Sequence, residues 1–227
     1  MRVFDIGSGR PLYSVSGVVA PVVFSSTGKS VIAVRPNDKV RSGIVVIESR
    51  SGKLQHFVPY EFLGNLPLWM ALHPDGNQLA VVLWNGKAFD LWDLARRTKV
   101  THSVDVWHDS QGAKRLSFSP DGNTLIITSD TRGPSYVWDT TQWRVVSSLS
   151  GHTDAITDVS YSTDGTRVAT SSLDGTVRLW DTKSGALLWT FIDKGRDPVR
   201  SVTFSSNDLQ LMAGAHDLLI WDTQLKP

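Results

Sequence analysis

The chain has 227 residues, of which 41% are hydrophobic and 20% are charged, and its formal net charge is +1. This composition is sufficient for a substantial buried core, and the near-neutral charge argues against a strongly basic nucleic-acid binder. The absence of cysteine excludes disulfides and thiolate chemistry. No apolar run is long enough for a membrane-spanning helix. We therefore expect no membrane partner and a cytoplasmic location, or a nuclear one in a eukaryote.

Short runs with strand-like alternation follow one another along the whole chain, separated by turn signals. In chain order they fall into six segments: 1–15 with MRVFD and PLYSV; 16–59 with APVVFS, SVIAV, GIVVIE and KLQHFV; 60–104 with LWMALH, QLAVVL, KAFDLW and a run near 98–103; 105–150 with KRLSFS, NTLIITS, SYVW and WRVVSSL; 151–192 with AITDVSY, TRVATSS, TVRLWD and ALLWTF; and 193–227 with RSVTFS, LQLMAG and LLIW. In the fifth segment, Asp164-Gly165 and Asp174-Gly175 separate the first three runs. Asp-Gly supplies the positive φ of a type I′ turn, so the pattern predicts tight hairpins.

Two features of these segments recur every 41 to 48 residues, which is the period of a repeat protein built from small sheets. The first is an aromatic residue or leucine before a turn, at Phe24, Leu72, Phe118, Tyr161 and Phe204. The second is a Trp-Asp pair or its replacement, at Phe4-Asp5, Ile47-Glu48, Trp92-Asp93, Trp138-Asp139, Trp180-Asp181 and Trp221-Asp222.

The stretch from Gly151-His152 to Trp180-Asp181 resembles a WD40 repeat, which forms one blade of a β-propeller. The resemblance implies an all-β fold of four-stranded antiparallel blades, with strands a to d in chain order. We expect a single propeller domain over 1–227, with strands c and d of a partial blade in 1–15. About five blades follow, at 16–59, 60–104, 105–150, 151–192 and 193–227, and the fifth lacks strand d. We favour a piece of a larger ring, such as a seven-bladed one, with closure at five blades as the alternative.

The resemblance also implies a structural hydrogen-bonded tetrad in the fourth blade. Its members would be His152, Asp174, Trp180 and a strand-b hydroxyl, which is Thr170 or Ser172. These two hydroxyls lie on the same face of a strand, so the sequence does not choose between them. The set could also be read as a Ser-His-Asp triad, but the chain has no G-x-S-x-G motif and Trp180 competes for the same hydrogen bonds.

Other chemical motifs are weak. Thr27-Gly28-Lys29-Ser30 resembles the end of a phosphate loop, but Val23 replaces its first glycine and a strand follows. The six histidines have no paired metal-ligand spacing. We therefore expect no catalytic residues, no metal and no cofactor, and a protein that is not an enzyme.

Partners of WD40 proteins usually dock on the top face, which the d–a and b–c loops form. The resemblance places nine candidate partner-binding residues there: Trp69, Trp84, Lys114, Arg115, Asp130, Asp158, Leu173, Arg200 and His216. With Arg35, Lys39, Arg41 and Arg132, this face would be locally positive around the aromatic anchor Trp84. The expected function is a scaffold that binds a protein or peptide, in particular an acidic or phosphorylated segment.

Two alternative functions follow from the same family resemblance. The first alternative is a nucleic-acid or histone-tail reader, and the near-neutral charge argues against the nucleic-acid reader. The second is a propeller-type enzyme that uses the central channel, for which the sequence offers no converging set of catalytic residues. Self-association through open blade edges is also expected, because an unpaired sheet edge can pair with another chain.

Overall fold

The computed structural model describes residues 1–36, 42–60, 67–83, 88–103, 113–129, 133–192, 195 and 197–223, apart from the side chains of residues 67, 68, 83, 103, 113, 114 and 129. Over these ranges the chain is all-β, and its strands form consecutive antiparallel sheets. None of the described residues belongs to a helix that could cross a membrane. The predicted fold class of four-stranded antiparallel blades is confirmed.

The sheets follow the chain order of the predicted blades. The first is a hairpin of β1 (Arg2–Phe4) and β2 (Pro11–Ser14). Four four-stranded sheets follow. Blade 1 contains β3 (Val19–Phe24), β4 (Ser30–Arg35), β5 (Gly43–Glu48) and β6 (Leu54–Pro59), and blade 2 contains β7 (Pro67–Leu72), β8 (Gln78–Leu83), β9 (Ala88–Asp93) and β10 (Thr98–Ser103). Blade 3 contains β11 (Ala113–Phe118), β12 (Thr124–Ser129), β13 (Ser135–Asp139) and β14 (Arg144–Leu149), and blade 4 contains β15 (Ile156–Tyr161), β16 (Arg167–Ser172), β17 (Thr176–Asp181) and β18 (Leu187–Ile192). Blade 5 has three strands, β19 (Ser201–Phe204), β20 (Gln210–Gly214) and β21 (Leu218–Asp222).

The chain divides into two compact units. Unit 1 contains Met1–Trp84 and Asp90–His102, and unit 2 contains Asn85–Phe89 and Ser103–Pro227. In unit 1 the largest core cluster joins blades 1 and 2 through side chains such as Ile32, Val46 and Leu79. The other side of blade 1 packs against the β1–β2 hairpin, where Tyr13 lies on Val45 and its neighbours. The cores therefore lie between neighbouring sheets, because each sheet buries apolar side chains on both of its faces.

In unit 2 the core clusters also lie between consecutive blades. Trp180 and Val168 of blade 4 pack with Ile126 of blade 3. Leu179 and Phe191 of blade 4 pack with core residues of blade 5, including Val202, Phe204 and Leu211. Burial of apolar side chains on both sides of blade 4 fixes the stacking of blades 3, 4 and 5.

The Asp-Gly turns of blade 4 are not the type I′ turns that the sequence predicts. Only the glycines have positive φ, +70° at Gly165 and +80° at Gly175, whereas a type I′ turn needs positive φ at both central residues. Each aspartate instead accepts a hydrogen bond from the N–H two residues later, Asp164 from Thr166 and Asp174 from Thr176, both at 2.9 Å. The carboxylates thus stabilise Asx turns, which hold aspartate at negative φ and leave the left-handed position to glycine.

Strand a is irregular near its start in blades 2, 3 and 4. The pairing register shifts between Pro67 and Trp69, between Ala113 and Arg115, and between Ile156 and Asp158. Each shift inserts one extra residue, so the strand bends and the next side chain is redirected. The bulges lie at the top edge of each blade, which we define as the edge where strands a and c begin and strand b ends.

The outer edge of blade 5 is unpaired among the described residues, since β21 is the last strand of its sheet. Two of its apolar side chains are exposed, Leu218 and Ile220. Such an edge can accept a strand from another chain. Self-association through blade edges remains a prediction.

Candidate interaction site

Four side chains of blade 4 form one continuous chain of hydrogen bonds at the start of the blade. The indole Nε1–H of Trp180 donates to Thr170 Oγ1 at 2.8 Å. Thr170 Oγ1 lies 2.8 Å from His152 Nε2, and His152 Nδ1 lies 2.8 Å from Asp174 Oδ2. A carboxylate only accepts, so Nδ1 carries the proton that bonds Asp174. In the neutral ring, Nε2 then accepts from the Thr170 hydroxyl, which itself accepts from the indole.

Ser172 is outside this chain of hydrogen bonds. Its hydroxyl donates to the Asp154 carbonyl at 3.0 Å and accepts from the Asp174 N–H at 3.1 Å. His152 is therefore bonded to Thr170 and Asp174, and it does not activate the Ser172 hydroxyl. The geometry is that of a structural network, and the nucleophile–base contact of a hydrolytic triad is not formed between Ser172 and His152.

Asp174 ties together the two loops at the top edge of blade 4. Its carboxylate accepts from the Thr153 N–H of the d–a loop at 3.0 Å and from the Thr176 hydroxyl of the b–c turn at 2.6 Å. Burial alone would raise the pKa of Asp174, but the hydrogen bonds from His152, Thr176 and Thr153 lower it well below the ordinary value. The carboxylate therefore remains ionised and holds both loops in place.

We expect Asp174→Asn to lower the free energy of unfolding by about 1–3 kcal/mol at pH 7, because buried donors lose their acceptor. The folded-state pKa of Asp174 is lowered, so its stabilisation is present above the unfolded pKa of about 4 and is lost as the pH falls through the folded value. Urea denaturation at pH 7 and pH 3 measures this. The difference in free energy of unfolding between Asp174→Asn and wild type should narrow at pH 3. Asp154→Asn is the control, a change at an exposed carboxylate in the same loop, and it should leave stability unchanged.

The bulge residues Arg115 and Asp158 contact the neighbouring blades of unit 2. Arg115 Nε donates to the Thr157 carbonyl of blade 4 at 2.7 Å, and Asp158 Oδ2 accepts from the Val202 N–H of blade 5 at 3.2 Å. Burial raises the pKa of Asp158, even though the Val202 N–H and Arg115 favour its charged form. Both side chains are only partly exposed, and they join the inner strands of blades 3, 4 and 5.

Three other predicted residues lie at the top edge of unit 2 with accessible side chains. Leu173 is half-buried on the b–c turn of blade 4, where its N–H donates to the Ala155 carbonyl at 3.0 Å. Arg200 is exposed before β19, and the His216 side chain is 82% exposed on the b–c turn of blade 5. These residues form the candidate interaction surface of unit 2.

The remaining predictions for partner-binding residues concern blades 2 and 3. Trp69 is half-buried on β7, next to the bulge of blade 2. Trp84 and Asp130 lie outside the described residues, as does the side chain of Lys114. The roles of these four residues remain predictions.

Comparison with known proteins gives the same repeat. The family model described as "WD domain, G-beta repeat" matches residues 143–181, the stretch that contains the hydrogen-bonded tetrad of blade 4. The chain therefore contains a WD40 repeat. It is 29% identical over 150 residues to the COMPASS component SWD3 of Saccharomyces cerevisiae, an alignment that covers 66% of this chain and 45% of that protein.

A second WD40-repeat relative is the Intraflagellar transport protein 122 homolog of Xenopus tropicalis. The identity is 32% over 129 residues, which cover 54% of this chain and 10% of the relative. The chain thus spans less than half the length of either curated relative. These two comparisons therefore support the fold only over the residues that align with the relatives.

The WD40 tetrad is interrupted in blades 2 and 3 at the strand-b hydroxyl. In blade 4, Trp180 pairs with Val168, and Thr170 lies two residues further along the same face. In blade 3, Trp138 pairs with Leu125, so Ile127 occupies the position of Thr170. The Trp138 Nε1–H is buried and has no hydrogen-bond partner in the described part of the chain.

Blade 2 shows the same substitution. Counted from the a–b turn, Val81 stands at the hydroxyl position, and the buried Trp92 Nε1–H has no hydrogen-bond partner among the described residues. An unpaired buried donor costs free energy, so these two WD40 blades retain the packing of the tryptophan and lose its polar link.

Restoring the hydroxyl in blade 3 should recover that cost. Ile127→Thr replaces two buried carbons by a hydroxyl that can accept from the Trp138 indole, so we expect the loss and the gain to offset each other and stability to change by less than about 1 kcal/mol. Ile126→Thr is the matched control, because Ile126 packs in the blade 3–blade 4 core on the opposite face of the strand. It should destabilise by about 1–3 kcal/mol in the same urea denaturation. Equal losses for both variants would contradict the assignment of position 127.

Sequence analysis missed a second buried polar network, which lies in blade 2. Asp90 on β9 is 1% exposed and accepts from Tyr60 Oη at 2.6 Å, Thr101 Oγ1 at 2.6 Å and Lys99 Nζ at 2.9 Å. Lys99 also lies 4.9 Å from the centre of the Tyr60 ring. The sequence signal was a single aspartate among apolar residues of a strand, AFDLW, since buried charges require partners.

Proposed function

We propose that this WD40 chain is a non-catalytic scaffold that binds a protein or peptide at the top edges of its blades, within one propeller domain. The names of two relatives support this: one is a component of COMPASS and the other an intraflagellar transport protein. WD40 folds carry their functions on loops, which a rigid sheet framework presents.

The observation that carries the proposal is the fixed geometry of the top edge of unit 2. The tetrad holds the loops around Leu173, and interblade hydrogen bonds align the starts of strands a in blades 3, 4 and 5. Arg200 and His216 are exposed on this framework. A preorganised surface loses little conformational entropy on binding, which favours recognition of a partner.

The proposal also specifies the charge of the partner. An acidic or phosphorylated segment would bind around Trp84, where the cationic residues of blades 1 to 3 are predicted to gather. On the described part of the top edge of unit 2, the exposed charges are Arg200 against Asp154, Asp197 and Asp217. Support for an acidic partner therefore comes from the predicted residues of the other blades, and unit 2 contributes Arg200.

The test uses the full chain and a partner identified by affinity capture, then purified. We expect Arg200→Glu and Trp84→Ala each to weaken binding about thirtyfold, which corresponds to roughly 2 kcal/mol, the loss typical of a hot-spot residue. Lys183→Glu is the matched control, since Lys183 is an exposed cation on the c–d turn, at the opposite edge of blade 4. Isothermal titration calorimetry gives the affinities. If both top-edge variants bind as wild type, the top edge is not the interface.

A pair of charge reversals tests the sign of the partner. For an acidic partner, Arg200→Glu should slow association and Asp217→Lys should accelerate it, because charges at the rim of an interface act chiefly on the association rate. A basic partner, including a histone tail, should give the opposite pair of effects. Stopped-flow association rates at low and high salt distinguish the two.

An enzymatic function receives less support from the described residues. The two polar networks, around His152 and around Asp90, are saturated by internal hydrogen bonds. No cluster of three or more metal-ligating side chains occurs in the part of the chain that the structure describes. Binding is therefore the function that we propose.

A further inference from the structure

A cleft of about 360 Å³ opens in unit 1 between blades 1 and 2, at the edge opposite the top edge. Its walls are the a–b turns of both blades, 25–30 and 74–77, together with the strand-d residues Gln55 and His56 of blade 1 and the c–d turn of blade 2. This volume is at the lower end of the range of ligand sites, and it suits one or two side chains of a peptide.

The floor of the cleft is apolar and belongs to the rigid core. Ile32, Val46 and Leu94 line it, and they are 1%, 6% and 7% exposed within the core cluster of unit 1. Leu72 lines the cleft as well and packs against the same cluster. An aliphatic side chain placed here would be removed from water without any change in the core.

The rim of the cleft has opposite charges on its two sides. On blade 1, the side chains of Lys29 and His56 are exposed, and the structure gives neither side chain a hydrogen-bond or ion-pair partner among the described residues. On blade 2, the carboxylate of Asp75 is already occupied by the Asn77 N–H at 2.8 Å and by His73 Nδ1 at 2.8 Å. The cationic Lys29 and the imidazole of His56 therefore lie on the blade 1 side, where an anion would find partners.

The turn that presents Lys29 has a defined conformation. The Ser25 N–H donates to the Ser30 carbonyl at 2.9 Å, and the Gly28 N–H donates to the Ser25 carbonyl at 2.8 Å. The Ser26 hydroxyl crosses to blade 2 and donates to the Pro74 carbonyl at 2.8 Å. This is the Thr27-Gly28-Lys29-Ser30 motif, which the sequence shows is not a phosphate loop, and here it forms one wall of the cleft.

We propose that this cleft binds a short peptide segment in which an aliphatic side chain is followed by a carboxylate. The aliphatic group would occupy the floor formed by Ile32, Val46 and Leu94, and the carboxylate would accept hydrogen bonds from Lys29 and His56. The site lies at the edge of blades 1 and 2 that is opposite their own top edge, and the proposal does not depend on the scaffold surface.

The test uses the full chain and the blocked tetrapeptide acetyl-Gly-Leu-Glu-Gly-amide, followed by methyl NMR at peptide concentrations up to about 1 mM. The methyl signals of Ile32, Val46, Leu72 and Leu94 should shift, and that of Leu211 in the core of unit 2 should not. Replacement of the peptide leucine by alanine should weaken binding about tenfold or more, since one methine and two methyl carbons leave the floor. Replacement of the glutamate by glutamine should weaken it about threefold to fivefold.

Protein variants give the complementary measurement. Lys29→Gln and His56→Gln change exposed side chains, so the fold is retained, and each should weaken binding about threefold. Lys53→Gln is the control, an exposed lysine of the same blade that does not line the cleft. The proposal is overturned if the cleft methyls do not respond to the peptide, if Lys53→Gln weakens binding as much as Lys29→Gln, or if inorganic phosphate alone shifts the same signals equally.

Discussion

Trp180→Ala is expected to lower the free energy of unfolding of unit 2 by about 3–5 kcal/mol. The indole is 1% exposed and lies in the core between blades 3 and 4, beside Ile126 and Val137. Its Nε1–H also begins the hydrogen-bond chain to Thr170 and His152. Truncation therefore leaves a cavity between two blades and removes one end of the network.

Urea denaturation followed by far-UV circular dichroism measures the change. Trp189→Ala is the matched control, since Trp189 lies on strand d of the same blade and is 39% exposed. It should cost clearly less, about 1 kcal/mol. Trp180→Phe separates the contribution of packing from that of the hydrogen bond, because it keeps most of the packing and removes the N–H donor. It should lower the free energy of unfolding by about 1–2 kcal/mol. A Trp180→Ala protein as stable as the wild type would contradict a structural role of the tetrad.

Asp90→Asn is expected to destabilise unit 1 by about 2–3 kcal/mol, because the buried donors around Asp90 lose their carboxylate acceptor, whereas Lys99 is 39% exposed and can turn to water. Asp90 accepts three hydrogen bonds, from Tyr60, Thr101 and Lys99. An asparagine amide would place a donor against one or two of these donors. Tyr60 and Lys99 lose their acceptor if the amide nitrogen takes the Oδ2 position, and Thr101 loses its acceptor if it takes the Oδ1 position.

The effect should depend on pH. Burial alone would raise the pKa of Asp90, but the hydrogen bonds from Thr101, Tyr60 and Lys99 lower it below the ordinary value. A lowered folded-state pKa means that the stabilisation is present above about pH 4 and is lost as the pH falls through the folded value. Wild type and Asp90→Asn should therefore differ most at neutral pH and converge in acid.

Asp93→Asn is the matched control on the same strand. Asp93 pairs with Arg96 at 2.7 Å at the surface, where the Arg96 side chain is 81% exposed. A surface pair of this kind contributes at most about 1 kcal/mol. Equal destabilisation by the two variants in thermal or urea denaturation would show that burial of the Asp90 network does not matter.

The strands and their grouping were predictable because they follow from local patterns. Alternation of apolar residues, Gly at turns and the recurrence of Trp-Asp predict the sheets, and the observed strands follow that order. The sequence predicted the positions of the Asp-Gly turns correctly, but the predicted turn type was wrong. The cause is the aspartate carboxylate, which accepts from the backbone two residues on and keeps the aspartate at negative φ.

The sequence predicted which residues belong to the candidate site, but it did not predict what their side chains contact. His152, Asp174 and Trp180 could be aligned with a repeat, whereas Arg115 and Asp158 align equally well with a docking surface and in the fold contact the adjacent blades. The Asp90 network joins strands c and d of blade 2 to Tyr60, a residue that precedes the blade's first strand. Such contacts depend on how one sheet stacks on the next, which local patterns do not contain.

The sequence by itself determined the repeat and the order of the strands, because these depend on neighbours within a few residues of the chain. Only the tertiary structure decided between Thr170 and Ser172. The two hydroxyls lie on one face of the same strand, and the position of the Trp180 indole and the His152 ring selects Thr170, leaving Ser172 to the Asp154 carbonyl. Hydrogen bonds are short and directional, so a displacement of two residues along a strand changes every partner.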